Sequence, residues 1–152
     1  MRKLIAWVAP VAVISVATLA AVALDRPVSI ILQARAGDAE ALCPRGDATL
    51  RGTYMSMGGG TVIGVGPVAF IGTLYFDGNG GGTNPFTRSL NGVIFRADAP
   101  VTYTVNSDCS GTLTLAGTIT LDIRISPNGS KVDYIETVAG TVVSGSASRV
   151  ND

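Results

Sequence analysis

The stretch "YTVNSDCSGTLTLAGTITLDIRI", residues 103–125, decides the fold class of this chain. Over 119–125, Ile and Leu alternate strictly with Thr, Asp and Arg, a period of two that predicts a half-buried β-strand. Residues 103–115 resemble two further strands joined by a tight turn that contains Cys109. Turns favour Gly, Pro, Asn, Asp and Ser, so a thiol there needs a reason of its own.

The same succession of strands and turns continues on both sides of this stretch. Hairpin signals stand at 77–82 ("DGNGGG"), 91–92 and 128–129 (both "NG"), where Gly and Asn supply the positive φ of tight turns. Pro85 and Pro100 interrupt strand patterns, which predicts an edge, a bulge or a bend at each. Short connections leave no room for crossover helices, so we expect about eight antiparallel strands.

Antiparallel strands in this number must hide their edges. We therefore predict an all-β domain over residues 43–150, an eight-stranded antiparallel up-and-down β-barrel that closes on itself. The interior of such a barrel holds packed side chains or one small ligand. A β-sandwich is the alternative, favoured if the chain changes sheets at Pro100.

The N-terminal segment has the composition of an export signal. Arg2 and Lys3 precede an uncharged run from Leu4 to Leu24, and Ala21-Val22-Ala23 fits a small-residue cleavage site. Residues 1–23 are thus predicted to be a signal peptide or, because the run is long enough to span a bilayer, an N-terminal membrane anchor. Residues 24–42 are a predicted linker. We expect a secreted or periplasmic protein, or a membrane-anchored one with its domain outside the cytoplasm.

Composition argues against several classes of function. Charged residues make up 14% of the chain, against ~25% in typical globular proteins. From Gly37 onward, seven basic residues stand against ten acidic ones, a net charge of −3 without the clustered basic surface that nucleic acids require. There is no histidine, which removes imidazole ligands and imidazole acid–base chemistry. We expect no metal, no cofactor and no nucleic acid, and membrane contact only through an uncleaved N-terminus.

Cys43 and Cys109 are the two cysteines, and an even pair in an exported chain predicts one disulfide. This bond would tie the segment before the first strand to a hairpin tip. The alternative is a reactive or metal-binding thiol. Two cysteines without histidine make a poor metal site, and no base lies close in sequence to lower a thiol pKa.

Four segments resemble a known family: "CPRGDATLRGTYMSMGGG", "VAFIGTLYFDGNGGGT", "YTVNSDCSGTLTL" and "DYIETVAGTVVSGSASR". They are similar to small exported bacterial domains described as allene oxide cyclase barrel-like, or calycin-like, and the resemblance covers about residues 43–149. It implies an eight-stranded antiparallel barrel with a Cys43–Cys109 bridge. Members of that barrel class include cyclases and binders of apolar ligands, but the shared motifs are structural and carry no catalytic residue.

Two residues are candidates for chemistry inside the barrel. Glu136 shares a strand face with Tyr134, and a buried carboxylate there would act as an acid or base. The simpler interpretation is an ion pair between Glu136 and Arg149 at the barrel mouth, or plain surface charge.

Aromatic side chains are the candidates for an apolar ligand site. The residues are Tyr54, Phe70, Phe95, Tyr103 and Tyr134. Core packing is the alternative role for all of them. The leading prediction is a non-enzymatic exported barrel that binds a small apolar molecule or serves as an envelope or surface module. A cyclase or isomerase that shapes a flexible apolar substrate, and a solid structural barrel, are the alternatives.

Overall fold

The structure is a computed structural model that describes residues 41–150. The predicted signal or anchor at 1–23, and the linker up to residue 40, lie outside the described residues. Within 41–150, no helix has the length and apolar character needed to cross a membrane.

Eight strands and one short 3₁₀ helix, Gly46–Thr49, make up the described chain. The strands are β1 (Arg51–Val62), β2 (Gly66–Asp77), β3 (Gly81–Leu90), β4 (Val93–Val105), β5 (Ser110–Leu115), β6 (Ile119–Ile125), β7 (Lys131–Glu136) and β8 (Thr141–Arg149). Each pairs antiparallel with its neighbour in sequence, and β1 also pairs with β8. The predicted closed eight-stranded antiparallel barrel is therefore confirmed, and the sandwich alternative is excluded.

The hairpin turns follow the chemistry of their residues. Asn91 and Gly92 join β3 to β4 with φ angles of 47° and 85°, as the "NG" signal predicts. Cys109, between β4 and β5, also has a positive φ of 63°. Its N–H donates to Asn106 O at 3.1 Å, and Asn106 N–H donates to Ser110 O at 2.8 Å, which closes the turn.

Pro100 does not end β4, which runs from Val93 to Val105. The Pro100 carbonyl accepts a hydrogen bond from Ala116 N–H at 2.9 Å, at the end of the β4–β5 ladder. Both backbone polar groups of a residue in an antiparallel strand face the same neighbour, so the missing N–H of Pro100 lies where the ladder stops. The missing donor therefore affects the end of the β4–β5 ladder and not its middle, and β4 continues through Pro100 as one strand.

The barrel wall is uneven in height. Strands β1 to β4 have 12, 12, 10 and 13 residues, whereas β5, β6 and β7 have 6, 7 and 6. We call β1–β4 the tall wall and β5–β7 the short wall. Residues 93–100 of β4 pair only with β3, so the tall wall rises above the short wall at the end of the barrel that carries the β3–β4 turn. We call this the open end.

The opposite, plugged end is closed by residues Cys43–Leu50, here called the plug. Cys43 and Cys109 form a disulfide and are only 1% and 4% exposed, which confirms the predicted bridge. Cys109 thus occupies a turn because its thiol fastens the plug to the β4–β5 hairpin. A disulfide is typical of an oxidising compartment outside the cytoplasm.

Hydrogen bonds hold the plug against the barrel. Asp47 accepts from Val105 N–H at 2.7 Å. The Tyr103 hydroxyl donates to Leu50 O at 3.0 Å and accepts from Gly78 N–H at 3.0 Å. These bonds fix the plug in place at this end of the barrel.

Candidate functional site

An apolar cavity of about 110 Å³ lies inside the barrel towards the open end. Inward-facing side chains of all eight strands contribute to it, because successive residues of a strand point to opposite faces. Its lining consists of Ser56, Val68, Phe70, Leu74, Asn84, Phe86, Arg88, Ala99, Leu113, Leu115, Ala116, Ile119, Leu121, Tyr134, Glu136 and Val143. Ala116, in the β5–β6 turn, is the exposed member of this lining.

Two glycines shape one side of the cavity. The rings of Phe70 and Tyr134 stack with centroids 6.3 Å apart over Gly58 and Gly145. A Cβ at Gly58 would lie 2.5 Å from the Phe70 ring, and one at Gly145 would lie 2.6 Å from the Tyr134 ring. The glycines of β1 and β8 therefore leave room for the two rings against the wall, which keeps the centre of the barrel open.

Tyr134 presents a neutral hydroxyl. Its O–H donates to Met57 O at 3.2 Å. Burial raises the pKa of the Tyr134 hydroxyl to about 12, and a hydrogen bond with Ser56 opposes this rise only in part. At neutral pH the group is protonated, so it is a hydrogen-bond donor and not a base.

Arg88 is the positively charged residue of the lining. It lies on β3 in phase with Asn84 and Phe86, which also face the interior. Its Nε is buried and has no hydrogen-bond partner within residues 41–150. Leaving a buried donor unpaired costs about 1–3 kcal/mol. Arg88 is not among the candidates that the sequence suggests, although it shares the phase of Phe86 on β3.

The predicted site residues separate into two groups. Phe70, Tyr134 and Glu136 line the cavity. Tyr54 and Tyr103 do not: both are buried at the plugged end, where each packs edge-to-face on Phe76. Both side chains face the barrel interior, but the plug occupies the space in front of them.

Phe95 is also absent from the cavity lining. It pairs with Arg88 across β3 and β4 and shares the inward phase of that row. It is nevertheless 50% exposed, because it lies in the part of the tall wall that the short wall does not reach. Phe95 therefore does not line the cavity, contrary to the prediction from the sequence.

Glu136 and Arg149 do not pair. Glu136 ends β7 at the open end, whereas Arg149 ends β8 at the plugged end. The Arg149 guanidinium donates to the Tyr54 hydroxyl at 2.8 Å and to Thr49 O at 3.2 Å, so it belongs to the anchoring of the plug. The hypothesis of a Glu136–Arg149 pair at the mouth is wrong.

Comparisons with known proteins yield no match: no family model, no curated protein and no solved structure is similar to the chain. In the part of the chain that the structure describes, no three His, Cys, Asp or Glu side chains cluster closely enough to hold a metal ion.

Proposed function

We propose that this protein is an exported barrel that binds a small, largely apolar ligand in the cavity at its open end. The observation that carries the proposal is the cavity itself, which lies in a closed barrel plugged at one end and accessible at the other. The disulfide supports a site of action outside the cytoplasm, in a secreted or periplasmic protein.

The size of the cavity limits the ligand. Pockets for drug-sized ligands measure ~300–1,000 Å³, whereas an apolar cavity of ~150 Å³ accepts benzene. A cavity of about 110 Å³ is smaller than both, so it suits part of a short hydrocarbon chain. A longer ligand would extend through the open end along the exposed inner face of the tall wall, past Phe95.

The test is a titration with octan-1-ol followed by methyl NMR. We expect shifts at Leu113, Leu121 and Val143, whose side chains line the cavity. Ala99→Leu places a larger side chain in the cavity from β4. We expect it to weaken octan-1-ol binding by about tenfold or more, because the ligand loses apolar contact area where the larger side chain lies.

The matched control is Ala69→Leu, which makes the same change at an exposed residue of β2 that faces away from the barrel interior. Binding by the control should equal that of the wild type. No methyl shifts in the wild-type protein, or equal loss of binding in both variants, would contradict the proposal.

A second candidate is an isomerase or cyclase, favoured by the presence of Tyr134 and Glu136 on one side of the cavity. A carboxylate and a neutral hydroxyl can assist proton transfer in a substrate that the cavity holds folded. The compound that co-purifies with the exported protein, identified by native mass spectrometry, is the substrate to test. Glu136→Gln should then abolish most of its conversion, and an unchanged rate would remove Glu136 from this role.

A further inference from the structure

Arg88 has no partner that explains its place in an apolar cavity. Among the lining residues it alone is positively charged, and its Nε is enclosed without a hydrogen bond. The ion pair found within residues 41–150 joins Lys131 to Asp133 on the outer surface. Glu136 lines the same cavity but does not come within ion-pair distance of Arg88.

The register of the tall wall places Arg88 between two aromatic residues. Phe70 is its partner on β2, and Phe95 is its partner on β4. Leu113 and Leu121, on the short wall, are almost fully buried and line the cavity beyond this row. The cavity therefore combines one cationic group with an apolar interior, an arrangement that suits an amphiphile.

We propose that the ligand is a small amphiphile whose carboxylate binds the Arg88 guanidinium while its hydrocarbon chain lies among the Leu113 and Leu121 side chains. This inference rests on the proposed function and names the class of ligand. A guanidinium stays charged at all physiological pH values and presents paired N–H donors that match the two oxygens of a carboxylate. Binding would give the enclosed Nε the partner that it lacks.

Direct pairing with Arg88 favours a carboxylate over other head groups. Glu136 brings one negative charge into the cavity but does not pair with Arg88, so a single carboxylate would meet less repulsion there than a dianionic phosphate. A neutral alcohol would leave the guanidinium without a directly bound counter-ion, and the guanidinium would repel an ammonium group.

The experiment compares octanoate, octan-1-ol and octylammonium, which share one chain length, by the same methyl NMR titration. We expect octanoate to bind the wild-type protein at least about tenfold more tightly than octan-1-ol, as hydrogen bonds to charged groups predict. Arg88→Met should bring the ratio of the two affinities to about one. Arg88→Lys keeps the charge but loses the paired N–H donors of the guanidinium, so it should give an intermediate ratio.

The control is Arg96→Met, which removes the same charge from the outer face of β4 and should retain the wild-type ratio. Glu136→Gln removes a negative charge from the cavity and should tighten octanoate binding. Equal affinities of the wild type for octanoate and octan-1-ol would overturn the role of Arg88 while leaving the binding function intact. Absence of binding by all three compounds would overturn both.

Discussion

At the scale of single residues, Tyr134 couples the cavity to the stability of the barrel. Its hydroxyl is buried beside apolar side chains, and burial raises its pKa from 10.0 to about 12. The protonated form is therefore favoured in the folded state. This contribution to stability is fully present below pH 10 and is lost as the pH rises towards 12.

We expect Tyr134→Phe to reduce the loss of stability between pH 10 and pH 12. Urea unfolding at a series of pH values measures the free energy of unfolding of each variant. Tyr75→Phe is the control, because Tyr75 is 45% exposed on the outer face. Part of the pH dependence should remain in Tyr134→Phe, since burial also raises the pKa of Tyr103. An identical pH profile for Tyr134→Phe and the wild type would show that this hydroxyl is solvated in solution.

At the scale of the strand, β3 carries a proline in an interior position of the sheet. The β2–β3 ladder is intact at Gly72–Phe86 and at Tyr75–Thr83, but pairing is missing between them, at Pro85. The side-chain amide of Asn84 donates to Thr73 O at 3.1 Å and so replaces the backbone donor that Pro85 lacks. The sequence predicts the interruption at Pro85 but not its compensation by Asn84, because that hydrogen bond depends on a carbonyl of another strand.

Asn84→Ala is expected to lower the free energy of unfolding by about 1–3 kcal/mol, because it leaves a backbone carbonyl without its donor. Thr83→Ala, at the exposed neighbouring residue, is the control for loss of a side chain on β3. Pro85→Thr restores a backbone N–H, so in that background Asn84→Ala should lower the free energy of unfolding by less. A double-mutant cycle measures this coupling. If the two changes in unfolding free energy simply add, the Asn84 amide does not replace the missing N–H of Pro85.

At the scale of the whole molecule, a disulfide helps to fasten the segment that closes one end of the barrel. The disulfide joins residues 66 positions apart and secures the plug beneath Tyr54 and Tyr103. With the plug in place, the part of the chain that the structure describes leaves the cavity closer to the end where the tall wall exceeds the short wall. Stability and access to the cavity are therefore set by the same segment.

Replacing both Cys43 and Cys109 by serine should lower the free energy of unfolding by about 4 kcal/mol, the value that loop-closure entropy gives for a loop of this length. Equilibrium urea unfolding measures the change. The wild-type protein under a strong reductant is the internal control and should match the double variant. A double variant as stable as the oxidised wild type would mean that the plug is held by its hydrogen bonds alone.

The sequence by itself determined the fold class, the strand pattern and the disulfide, because these depend on local alternation, on turn residues such as Asn91-Gly92 and on a single pair of cysteines. Phe70, Tyr134 and Glu136 were candidates from the sequence, and the structure places them in the cavity lining. Only the tertiary structure decided which inward-facing residues meet open space. Tyr54, Tyr103 and Phe95 have the correct phase, yet the plug fills the space before the first two, and the short wall ends below the third. Phase is a property of one strand, whereas a cavity depends on the heights of all eight strands and on what closes each end.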